Sequence, residues 1–131
     1  GKVHEQTGIP YERKIVDING VKIEVVVPKF NSLLDVQLPA DLTLAKDPIH
    51  FKHCNEALKE AVANDPELRA KFNERQLQLI EKGHNPSGYT WHHDAELGKI
   101  QLVSSKEHNV ASGGAAHTGG KAIWGGGQEN R

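Results

Sequence analysis

"GYTWHHDAELGKIQLVSS", residues 88 to 105, sets two histidines directly behind a tryptophan in a chain with only 5% aromatic residues. "YTWHH" reads as one short strand and "KIQLVSS" as a second, with Asp94 to Gly98 as the turn between them. Ser104 or Ser105 is then placed to cap a helix beginning "KEHNVAS", which carries His108. The order is strand, strand, helix. His117 follows in "GGAAHTGG", beyond Gly113-Gly114, where that helix is expected to end.

Successive residues on a strand point to opposite faces, so His92 and His93 are not expected to ligate one ion as equals. A division of labour follows, in which one histidine holds a metal and its neighbour acts as a base. Histidine suits the second role because its unperturbed pKa, about 6.5, keeps neutral imidazole available near neutrality. Three separated histidines supply three nitrogens to one divalent ion and leave positions open for water or substrate, as catalytic sites require. A single histidine is more often a surface or satisfied core residue, and His4 and His84 are read that way. The pair and two further histidines within 26 residues carry more weight.

Upstream, "KIVDINGVKIEVVV" reads as a hairpin, because two β-branched runs flank Asn19-Gly20, the pair best suited to the positive φ angles of a type I′ turn. "PKFNSLLDVQLPADLTLA", broken by Pro28 and Pro39, reads as an irregular crossing segment. Asp47-Pro48 and Asp65-Pro66 each place a capping carboxylate before a proline and announce helices over 48–64 and 66–82, the second ended by Gly83. Phe51, Cys54, Leu58, Ala61 and Val62 share one face of the first, and Leu68, Phe72, Leu79 and Ile80 one face of the second. His50, His53 and Cys54 stand at i, i+3, i+4 and form a rival metal cluster, but Cys54 belongs to the apolar stripe and no fourth ligand is evident.

Ten of the 13 glycines and five of the eight histidines lie from Gly83 onward, where apolar periodicity fades. That change marks a loop-built site resting on a scaffold. The expected architecture is α+β: an N-terminal β-hairpin and two helices (1–83) supporting a C-terminal ββα-metal region (84–131), in one domain of 131 residues.

Sixteen basic against 17 acidic residues exclude a global basic field; residues 84–131 are formally neutral apart from five histidines, so affinity for polyanions there must come from a bound cation, protonated histidine or backbone amides. One cysteine excludes an internal disulfide, and no apolar run reaches membrane-spanning length. The absence of methionine points to a domain cut from a longer protein. "GGAAHTGGKAIWGGG" fails as a phosphate-binding Walker loop, since Ala115 and Ala122 stand where Gly and Ser or Thr are needed.

"YTWHHD", "GKIQLVSSKEH" and "HTGG" together resemble the WHH group of the HNH/endonuclease VII nuclease superfamily, found at the carboxy-terminal ends of bacterial polymorphic toxins of the contact-dependent growth inhibition type. "TGIPYERKIVDINGVKIEVVVPKFNS" and "DVQLPADL" extend the likeness over most of the chain. The resemblance implies a ββα-metal fold gripping one divalent cation at the scissile phosphate of DNA. His92 matches the first metal ligand, His93 the general base, and His108 and His117 the later ligands; Trp91 matches a packing residue. Eight residues separate His108 from His117 here, more than is usual in the group. On one continuous helix that nine-residue step turns through about 900° and puts the two on opposite faces, so a break at Gly113-Gly114 is required. Imidazole ligands suit zinc, nickel or manganese, with magnesium a further candidate.

The resemblance further implies 5′-phosphate and 3′-hydroxyl products and a neutralising immunity protein in the producing cell. It also implies export or surface display within a larger toxin, with action in the target-cell cytoplasm. Two other functions compete: an RNase with the same site, and a noncatalytic binding module whose histidines hold a structural metal.

Overall fold

The computed structural model describes residues 10–111. Strands β1 (Tyr11–Ile18) and β2 (Val21–Pro28) form an antiparallel pair in register from Tyr11 with Pro28 to Ile18 with Val21. Asn19 and Gly20 both take positive φ, 53° and 82°, as a type I′ turn demands, and the Gly20 amide donates to Asp17 Oδ1 at 2.9 Å.

The segment after the hairpin is more ordered than its two prolines suggest. Within it, β3 (Asp35–Gln37) joins a second sheet of order β3-β5-β4, where β4 is Tyr89–His93 and β5 is Lys99–Ser104. Both pairings are antiparallel, and β4 forms an edge. Gly98 closes the β4–β5 turn at φ 72°, a backbone conformation that favours glycine.

Helix α1 (Asp47–Asn64) has Pro48 in its first turn, as expected. Its N-cap is Lys46, however, and no side chain caps it; Asp47 is the first helical residue, which corrects its reading as the cap. Asp65 does cap, accepting from the amides of Glu67 and Leu68.

The single helix expected over 66–82 is two: α2 (Pro66–Arg69) and α3 (Glu74–Glu81). Asn73 restarts the helix with a reciprocal capping box, its Oδ1 accepting from the Gln76 amide while Gln76 Oε1 accepts from the Asn73 amide. At the far end the amides of Gly83 and His84 donate to the carbonyls of Ile80 and Leu79, so α3 stops at the expected glycine.

One core unites α1, α2 and α3 with the second sheet. Cys54, Leu58 and Val62 of α1, with Leu68, Phe72 and Ile80, pack against Val36, Trp91, Ile100 and Leu102 of the sheet. Cross-strand partners share a face, and the register places Trp91 opposite Leu102 and His93 opposite Ile100 on the α1 side. Thr90 and His92 face the other way, opposite Val103 and Gln101. On that side lie Phe30, which packs with Val103, and α4 (Ser105–Ala111).

The first turn of α4 is fixed by Ser104, whose Oγ accepts from the Glu107 amide at 3.4 Å, and by Ser105, whose Oγ meets Thr90 Oγ1 at 2.6 Å. The chain is thus α+β, with a ββα unit formed by β4, β5 and α4. No helix among the described residues is long and apolar enough to cross a membrane.

Candidate functional site

Strand alternation decides where the adjacent histidines go. His92 is 5% exposed and lies against Phe30, ring centroids 4.9 Å apart at 67°, and against His108 of α4 at 5.1 Å and 64°. Phe30 and His108 meet at 5.5 Å with their rings tilted by 38°, so three rings close on one another. Burial lowers the pKa of His108, an effect partly offset by its hydrogen bond with Asn109. A neutral ring keeps a lone pair for a metal.

His93, 8% exposed, points into the opposite face toward the start of α1. Its Nε2 lies 3.1 Å from His50 Nδ1 and 3.6 Å from Asp47 Oδ1. Nε2 of His50, a ring with 0% exposure, meets the Leu42 carbonyl at 2.6 Å. Phe51 covers His93 at a ring distance of 5.6 Å. Asp47, His50 and His93 each offer one ligand atom within 4.8 Å of the others, a group able to hold a metal ion.

Two residues beside the pair fix its placement. Trp91, 3% exposed, is the expected packing residue, and its Nε1 donates to Asn55 Oδ1 at 2.8 Å. Asn55 in turn donates to Asn85 Oδ1 at 3.0 Å. Asp94, 3% exposed, accepts from Lys14 Nζ at 2.9 and 3.0 Å and from the Glu96 amide at 3.0 Å. Burial by itself lowers the Lys14 pKa, but the carboxylates of Asp94 and Glu12 outweigh it and raise the ammonium above its ordinary value. The N-terminal hairpin is thereby pinned to the turn that follows the histidines.

Of the residues read as site members, His92 and His108 come together on one face of the sheet and His93 stands on the other. His117 and the Gly113-Gly114 break lie outside the described residues. The grouping of His50 with His53 and Cys54 is replaced by another. Cys54 is 0% exposed within the core, and burial pushes its thiol up to about 12, as for a packing residue. His50 turns instead to His93 and Asp47.

Asp47 and His50 were not selected from the sequence as partners of His93. Their i, i+3 spacing on a first helical turn was the available signal, but nothing local connects it to a strand 43 residues beyond His50.

Among known families, the DNase/tRNase domain of colicin-like bacteriocin matches residues 19–119. No curated protein and no solved structure gives a significant match.

Proposed function

This chain belongs to the family of DNase/tRNase domains of colicin-like bacteriocins, a nuclease toxin family, and we propose that it is a metal-dependent endonuclease of the WHH type within the HNH superfamily, hydrolysing phosphodiester bonds of DNA. The observation that carries this reading is the ββα unit itself, in which His92 of β4 meets His108 of α4 while the adjacent His93 is turned away.

The donors suit a divalent ion: two imidazoles pack side by side, and burial favours the neutral form of His108. His92, His108 and His117 would hold it. When bound, the ion supplies polarisation of the phosphate and stabilisation of charge on the departing 3′ oxygen.

His93 works from the other face at the last position of an edge strand, so a phosphodiester laid across that edge can meet both histidines. It takes a proton from water as the water oxygen bonds to phosphorus. The bond to the 3′ oxygen breaks in line, and that oxygen takes up a proton from solvent, leaving 5′-phosphate and 3′-hydroxyl ends. We assign the chain to one catalytic unit, with 1–83 as scaffold and 84–131 as catalytic region; the Lys14–Asp94 ion pair between the hairpin and the turn after β4 supports this reading.

A toxin of bacteriocin type acts on nucleic acid inside target cells. We assign to this one delivery as part of a larger secreted or surface-displayed toxin, action in the target-cell cytoplasm during interbacterial competition, and a cognate immunity protein in the producer. RNA is the second substrate, favoured by the tRNase in the family description.

The test is digestion of plasmid DNA and of RNA by the purified chain, with zinc, nickel, manganese or magnesium and with chelator. DNA nicking that chelator abolishes supports the reading. Metal-independent cleavage overturns it, and cleavage of RNA alone moves the substrate to the second class.

A further inference from the structure

A carbonyl oxygen can only accept, so the 2.6 Å contact between the Leu42 carbonyl and His50 Nε2 places a proton on that nitrogen. A second proton on Nδ1 would put a cation on a ring with 0% exposure, at the cost of desolvating it. In the neutral ring Nδ1 carries the lone pair and accepts. The group 3.1 Å away is His93 Nε2, which must then donate.

A neutral imidazole has one N–H and one lone pair. With its proton committed to Nε2, His93 holds its lone pair on Nδ1. We propose that His50 is a positioning residue for the general base: the sequence Leu42 carbonyl, His50, His93 is a directional hydrogen-bond chain that selects the Nε2–H tautomer of His93 and presents Nδ1 to the attacking water. This rests on the reading of His93 as base, and it adds which nitrogen reacts and what holds it.

The arrangement gives a reason for the buried histidine pair between α1 and β4. His93 could reach alternative rotamers and tautomers if it packed only on Phe51, whereas a fixed acceptor removes that freedom. Asp47, at 3.6 Å, stands beyond good hydrogen-bond distance from the same nitrogen and assists only by charge.

The experiment is ring-nitrogen NMR of the full chain labelled with ¹⁵N-histidine, in chelator and then with added zinc, alongside turnover of plasmid DNA. The expected result is an Nε2-protonated tautomer for both His50 and His93, retained when zinc is added. His50→Phe should lose the His93 tautomer preference and lower kcat about 10–100-fold, as loss of an orienting partner typically does, with KM nearly unchanged. His50→Asn, whose Oδ1 stands near the place of Nδ1, should recover most of the rate.

An Nδ1-protonated His93 in the wild-type chain would overturn the proposal, as would displacement of the His50 and His93 resonances together by zinc, the mark of a metal shared by Asp47, His50 and His93. The tautomer measurement needs no variant to fold. Full activity in His93→Ala, together with an Nε2-protonated His93 in the wild-type chain, would remove the base reading alone and leave the hydrogen-bond direction standing.

Discussion

The two faces of β4 solve different problems with neighbouring residues. Toward α1, Trp91 and His93 each find a polar partner on the helix, Asn55 at 2.8 Å and His50 at 3.1 Å, inside a core of aliphatic side chains. Toward α4, His92 packs among rings, with Phe30 and His108 at 4.9 and 5.1 Å. Hydrogen bonds in a buried setting fix direction, whereas ring packing fixes proximity. On the proposed reading of the site, the first face orients the base and the second gathers metal ligands.

The most severe way to break that contrast is to compare His93→Ala with His92→Ala. His93→Ala should lower kcat by about 10²–10⁴-fold, the usual contribution of a positioned base, and leave zinc affinity by calorimetry close to wild type. His92→Ala should do the reverse in order of cause: zinc affinity falls first, and the activity that remains rises again with excess metal. Equal loss of zinc affinity in both variants would erase the distinction between the faces.

Part of this arrangement is written locally, and part is not. The hairpin could be read because Asn19-Gly20 is a turn signal in two residues, and β4, β5 and α4 because alternation and the Ser104 cap act within a few positions. The break between α2 and α3 was hidden by an apolar stripe that continues across it, since Leu68, Phe72 and Ile80 all bury into the same core. The capping box from Asn73 to Gln76 was the local mark of that break.

Asp47 was misread because one residue type at a helix start serves equally as cap or as a carboxylate aimed elsewhere. Only the approach of β4, far along the chain, chooses between them. β3 escaped notice because three residues between prolines carry almost no periodicity, and the strand exists through its pairing with β5.

A smaller effect should follow from cutting the brace between the hairpin and the site. Lys14→Met leaves the Asp94 carboxylate, 3% exposed, without its main cation and should cost about 2–3 kcal/mol of stability. The raised Lys14 pKa sets the pH window. Its contribution is full below the ordinary lysine value of 10.5 and is lost as pH rises through the raised one, so urea unfolding at neutral pH reads the whole effect. If the variant unfolds at the wild-type urea concentration, the hairpin is not held by this pair.

The gentlest probe sharpens the α1 face alone. Asn55→Ala removes the acceptor of Trp91 Nε1 and should destabilise by about 1–2 kcal/mol, the cost of leaving a buried donor unmet. Trp91 and His93 share that face but make separate contacts with α1, so the loss should appear as a lower unfolding midpoint while the His93 ring-nitrogen tautomer stays unchanged. The two hydrogen bonds then act independently, one setting how firmly β4 is seated and the other how His93 is aimed. A changed tautomer in Asn55→Ala would join them, and orientation of the base would depend on the seating of the whole strand rather than on His50.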